Sequence, residues 1–246
     1  MHAPVGSLDA ELALRRRHRP RSFVLWIAGI SAVLVLVGFA RTFYLRPLFV
    51  HLPLPSLAIV HGTVMSLWVA LFVTQVWLAS RGKIALHRTA GIAGMLLAPV
   101  VLGLGLTMAI LAMRAGHTPV PQVPPQQFLA VPLLNILVFG GLAGTGLALR
   151  RRPEIHRRLM LLAMLDLLPP AIARIPQALD FRAASLPVAI SVVTALVVAC
   201  AVREIRQHRR LHPAFALGGL AVILALPLAV VVSHTAWWQR FAELLM

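Results

Sequence analysis

Four histidines sit at the ends of long apolar stretches: His61, His87, His156 and His234. A membrane-bound b-type haem takes two neutral imidazoles at one depth on facing helices. His87 and His156 each precede an apolar stretch and follow a basic cluster, so they define one candidate layer, with His208 or His212 close by in depth. His61 and His234 define a second layer at the opposite side. The alternative role for all of them is interfacial: hydrogen bonds to headgroups, helix ends or loops. No apolar stretch carries two histidines about four turns apart, the spacing with which one helix ligates two stacked haems.

A second candidate is Asp166, in the middle of an apolar stretch. An acid there costs about 2.5–3.5 kcal/mol on insertion scales and defaults to a functional hypothesis. Pro169 and Pro170 follow it, and Pro176 lies further on. Two adjacent prolines lack N–H donors, so carbonyls one turn earlier, near Leu165 and Asp166, lose their helical partners. A break of this kind survives in a membrane only where protein or a watery cavity satisfies the backbone again. Arg174 lies two turns beyond Asp166. The pair reads either as a proton or ligand site at a kink, or as a buried polar cluster whose arginine snorkels outward.

His61, Trp68 and Gln75 recur every seven residues, which places them on one helical face. Asn135 adds a further amide within an apolar stretch. These groups either hydrogen-bond between helices or wall a polar cavity shared with Asp166.

The elements that must position these residues are membrane helices. The chain has 246 residues, is 59% hydrophobic and only 12% charged, with a mean hydropathy of +0.86. Soluble domains have about 25% charged residues. Apolar stretches at 22–40, 57–80, 90–113, 128–149, 157–178, 186–203 and 213–234 each suffice to cross a bilayer core of about 30 Å. The expected fold is an all-α integral membrane bundle of seven transmembrane helices in a single domain, 22–246.

Charge supplies an independent check. The formal net charge is +16. Seventeen of the 23 Lys and Arg residues fall in the segment 1–21 and in the loops 81–89, 150–158 and 203–212, all on one side of a seven-span layout. Five fall on the other side. By the positive-inside rule the N-terminus is cytoplasmic and the C-terminus outside, in a bacterial inner membrane. Residues 1–21 are expected to be a basic cytoplasmic tail. The first apolar stretch mimics a signal peptide, yet 19 apolar residues exceed the usual core of roughly 7–15, so it reads as a signal anchor. The clusters are too dispersed for a nucleic-acid face, and lipid is the expected environment.

The prolines of 117–127 are expected to exclude a helix there. Trp237 and Trp238 are expected to be interfacial anchors of a tail beginning at Thr235. Gly140 with Gly144, and Gly94 with Ala98, are expected to allow close helix approach. Cys200, the single cysteine, reads as a packing residue.

The basic loops also carry a repeat. Residues 78–98 align with 147–167 without a gap at seven identities in 21 positions, including His87-Arg88 with His156-Arg157. Gln207-His208-Arg209-Arg210 is a shorter third copy. Helices two and three, four and five, and six and seven are then three copies of one hairpin after an extra first helix.

Some chemistries are excluded. The only lysine, Lys83, is in a loop, so no intramembrane Schiff base is available. There is no P-loop, HExxH, GxSxG or EF-hand pattern.

The segment 61–94, with His61-Gly62, Trp68, Leu71-Phe72, Gln75, His87-Arg88, Gly91 and Gly94, resembles a set of multi-pass membrane proteins from Proteobacteria that carry no assigned activity. The likeness extends to Tyr44-Leu45-Arg46-Pro47 and to 154–174. Residues 134–164, with Leu134-Asn135 and His156-Arg157-Arg158-Leu159-Met160, are similar to a family of small bacterial membrane proteins, some of them implicated in cytochrome oxidase maturation. That second resemblance implies an accessory role beside a respiratory complex.

Three functions are therefore open from sequence. The first is a haem-linked redox protein or respiratory-oxidase accessory, using His87, His156, His61 and His234. The second is a proton-coupled small-molecule transporter centred on Asp166, with Arg174, Gln75 and Asn135. The third is a non-catalytic subunit or scaffold of a membrane complex.

Overall fold

A computed structural model describes residues 23–120 and 122–246. The tail expected over 1–21 lies outside them. Among the described residues there are helices and connecting turns but no strand. Seven helices are long and apolar enough to cross a membrane. The protein is a multi-pass membrane bundle, as composition requires.

The first span is α1, Phe23–Tyr44, whose last turn, Ala40–Tyr44, is a π-helix. It is followed by α2, Ser56–Ser80, α3, Ile84–Arg114, and α4, Pro125–Ala148. The fifth span is two helices, α5, Pro153–Asp166, and α6, Pro169–Ala178. Then come α7, Ser185–His208, α8, Pro213–Ser233, and a short terminal helix, α9, Ala236–Leu244.

Proline and glycine set these boundaries. Pro125, Pro153, Pro169 and Pro213 all stand in first turns, where the missing N–H has no helical partner to lose. Gly82 and Gly116 end α2 and α3 with φ of +72° and +71°, the left-handed turn that exposes the last carbonyls to new donors. Arg209 makes the same turn after α7 without being glycine.

Three expectations change. The third span begins at Ile84 and the fifth at Pro153, several residues before the apolar stretches do, so His87 and His156 lie in first helical turns rather than in loops. The helix α7 runs on to His208, because a helix leaving the bilayer continues on polar residues that hydropathy discards. The proline-rich 117–127 does not wholly exclude helix: Pro125 opens a turn, Pro125–Phe128, at the one position where proline is favoured.

The broken fifth span is the hub. Of its most apolar stretch, 72% is buried inside the bundle, against 11–39% for the other six. It packs on α4, α7 and α8 and also on α1, where Gly38 lies so close to Ala171 that a Cβ on Gly38 would overlap the Ala171 carbonyl. The largest core cluster accordingly centres on Leu161–Leu165, Leu168 and Ile172.

The expected GxxxG seam is only half present. A Cβ on Gly140 would sit 3.1 Å from Leu102, but Gly144 has nothing within 4 Å. The tight glycines are instead Gly38, Gly62, Gly105 and Gly218, none of them followed by a glycine four residues on. The terminal tryptophans also divide. Trp237 is 67% exposed, whereas Trp238 is 2% exposed and donates from Nε1 to the Gln126 carbonyl at 2.8 Å.

Candidate functional site

The heptad on α2 has the single face its spacing implies, since seven residues are nearly two helical turns. From His61 to Gln75 the face rises about 21 Å, most of a bilayer core. His61 lies at the end where α1 and α6 meet, within electrostatic reach of Arg174. Trp68 is buried in the middle, edge-to-face on Phe139 of α4 with ring centroids 5.1 Å apart. Gln75 lies toward the arginine-rich end, against Gly91 of α3.

Asp166 ends α5 and is 1% exposed. The two prolines three and four residues on halt the helix there, as expected. The freed backbone is satisfied by protein: Asn135 donates from Nδ2 to the Asp166 carbonyl oxygen at 2.6 Å. Phe139 lies one turn beyond Asn135 on α4. A cavity of about 10 Å³, the threshold for a single water, opens between Asn135, Pro169, Thr194 and Leu226.

Arg174 is half-buried. Its guanidinium covers the Phe39 ring of α1 at 4.4 Å and donates to the Pro170 carbonyl at 2.7 Å. It is therefore held at the junction of α1 and α6.

The buried side-chain polar atoms without a hydrogen-bond partner form a pattern. Among the described residues they are His61 Nδ1, Trp68 Nε1, Gln75 Nε2 and Oε1, both Asp166 carboxyl oxygens, and Ser185 Oγ. Six of these seven belong to the α2 face or to Asp166. Such atoms are costly in an apolar interior and draw in water or a polar ligand.

At the arginine-rich end, His87 and His156 come together. Their rings are 6.3 Å apart and nearly perpendicular, at 77°. His87 Nδ1 is 3.3 Å from the Gln75 carbonyl oxygen, and His156 Nδ1 is 2.8 Å from that of Gly146. A carbonyl oxygen only accepts, so each Nδ1 carries the proton. Each histidine thus ties the start of one helix to the end of the helix before it.

His61 and His234 share no ring contact. His61 is half-buried in the second turn of α2, whereas His234 is exposed at the end of α8. Nor does His212 join the His87 layer's pattern: it caps α8, its Nδ1 accepting from the Ala214 amide at 3.1 Å. Its ring therefore has the opposite arrangement of donor and acceptor.

One polar group is not evident from sequence. Arg158 and Glu204 form an ion pair at 2.8 Å, with side-chain exposures of 7% and 10%. Glu204 also accepts from the His212 amide at 3.1 Å, and Arg158 donates to the Glu154 carbonyl. The only signal is a single acid, Glu204, among the arginines of its loop, where it blends into a solvated basic cluster.

No family model, curated protein or solved structure matches the chain.

Proposed function

We propose that the protein carries protons across the membrane, alone or together with a small polar solute, with Asp166 as the proton-carrying group. The observation that supports this most directly is the confinement of unpartnered buried polar atoms to the α2 face and Asp166, Ser185 Oγ apart. Groups arranged this way span the bundle in depth: His61 beside Arg174, Trp68 beside the Asp166 level, and Gln75 beside His87. An uncompensated carboxylate is expensive in an apolar interior. A carboxyl there favours a proton or a polar partner, and exchange between the two is the elementary act of a proton-coupled carrier.

The break after Asp166 supports a moving part. Two short helices are joined by two non-helical residues, Leu167 and Leu168, and Pro169 and Pro170 have no N–H to bond back across the joint. In this reading the arginine-rich end faces the cytoplasm of a bacterial inner membrane. The matching bonds of His87 and His156 to the preceding helix support a repeated hairpin over α2–α3 and α4–α5. In α7–α8 the corresponding tie is Glu204 to the His212 amide.

Purified protein in vesicles with an internal pH dye and an imposed potassium diffusion potential tests the proposal. Wild-type vesicles should acidify, and Asp166→Asn, which keeps the side-chain shape, should fall to the rate of protein-free vesicles. Equal proton flux in Asp166→Asn and wild type, or none in wild type under any tested solute gradient, would overturn it.

A further inference from the structure

We infer that His87 and His156 together form a bis-imidazole site for an iron porphyrin at the arginine-rich end of the bundle. The inference rests on the geometry of these two rings and is independent of the proton path.

The first support is the state of the rings. With each Nδ1–H given to a backbone carbonyl, the lone pair of each imidazole is on Nε2. No hydrogen bond among the described residues involves either Nε2. A metal-binding histidine shows this arrangement: one nitrogen fixes the ring and its tautomer through a carbonyl or carboxylate, and the other is the ligand. Two helices, α3 and α5, present their rings from first turns, where backbone bonds make them rigid.

The second support is spacing. Two imidazoles on opposite sides of one metal, each at about 2.0 Å through a ring nitrogen, have centroids roughly 6 Å apart. The observed separation is 6.3 Å.

The third support is the number of donors. No group of three or more His, Cys, Asp or Glu among the described residues could hold a metal ion. The described residues therefore offer two ligands here and no more. Bare zinc in protein sites takes three or four protein ligands. A porphyrin supplies four of its own and leaves two axial positions, the number available here.

The fourth support is the surroundings. Both histidines are half-buried. Arg88 follows His87 and Arg157 follows His156, and both arginines are exposed. A b-type haem has an apolar body and an edge with two carboxylates. Arginines at the membrane surface suit those carboxylates through charge-assisted bonds, while the apolar body suits the spans beneath.

The experiment is a reduced-minus-oxidised absorption spectrum of the detergent-purified chain expressed in haem-replete cells, with hemin titrated into any colourless fraction. The expected result is a Soret band and a sharp α-band at about one haem per chain, as a bis-histidine site requires. His87→Ala and His156→Ala should each lose the bands, and His234→Ala should keep them. Adding imidazole to His156→Gly should restore them, which separates a lost ligand from a lost fold. Asp166→Asn should keep the spectrum even where it loses proton flux, so the two proposals fail separately. Wild-type protein that neither carries nor takes up hemin would overturn the inference. So would bands of equal strength in both alanine variants, or saturation of the pair by copper or zinc with no hemin bound.

Discussion

The Asn135 amide donates to the backbone carbonyl of Asp166 at 2.6 Å, across the contact between α4 and the break in the fifth span. The bond repairs the defect that Pro169 and Pro170 create. Asn135→Leu should leave that buried carbonyl unpaired, at a cost of about 1–3 kcal/mol. Thermal unfolding in detergent measures it. A variant as stable as wild type would show that the carbonyl finds water instead.

A buried ion pair fastens the arginine-rich end. Arg158 on α5 meets Glu204 on α7, and Glu204 also takes the His212 amide at the start of α8. Glu204→Ala removes one charge and strands the other. The expected loss is about 3–5 kcal/mol. Arg158→Met combined with Glu204→Leu should lose much less, because no buried charge is left alone. Chemical unfolding of the two variants beside the wild type measures this, and a double variant as unstable as the single one would refute the pairing argument.

The first helix depends on Gly38. Its Cα lies against the Ala171 carbonyl, with no room for a side chain between α1 and α6. Gly38→Leu should push α1 from the hub, costing about 1–3 kcal/mol or more as overpacking does. Limited proteolysis checks it: cleavage in the loop between α1 and α2 should accelerate. Gly29, on the same helix, faces open space: a methyl group added there would meet nothing within 4 Å, so Gly29→Ala is the neutral control.

Much of this is legible in the sequence, for identifiable reasons. Lipid requires backbone groups to be bonded internally, and long apolar stretches meet that as helices, so they disclose the spans with little ambiguity. The Asp166 break is legible because proline removes donors whatever the context. The meeting of His87 with His156 is legible as a shared depth, since depth follows from distance along the helix. Lateral position does not. That is why His61 and His234, also expected to share a layer, face different neighbours. The same gap hides the Arg158–Glu204 pair, whose partners are 46 residues apart. Glycine spacing misleads for a related reason: Gly144 matches a packing motif, but its face meets open space.

The last two turns of the chain give a sharp contrast between adjacent residues. Trp238 is buried, bonded through Nε1 to Gln126, and holds α9 against the start of α4. Trp237 points outward and stacks on Phe241 with centroids 5.8 Å apart. Both are tryptophans just beyond the last span, and hydropathy cannot tell them apart. Trp238→Ala should cost about 3–5 kcal/mol, combining lost apolar burial with the unpaired Gln126 carbonyl. Trp237→Ala, away from the core, should stay within about 0.5 kcal/mol. In detergent the stability measurement isolates packing from membrane anchoring. In vesicles Trp237→Ala should instead show its effect as a shift of indole fluorescence, because its exposed ring is the one placed to meet the headgroup region. Equal losses from the two substitutions would mean that α9 is held by its aromatic surface as a whole, not by the Trp238 contact.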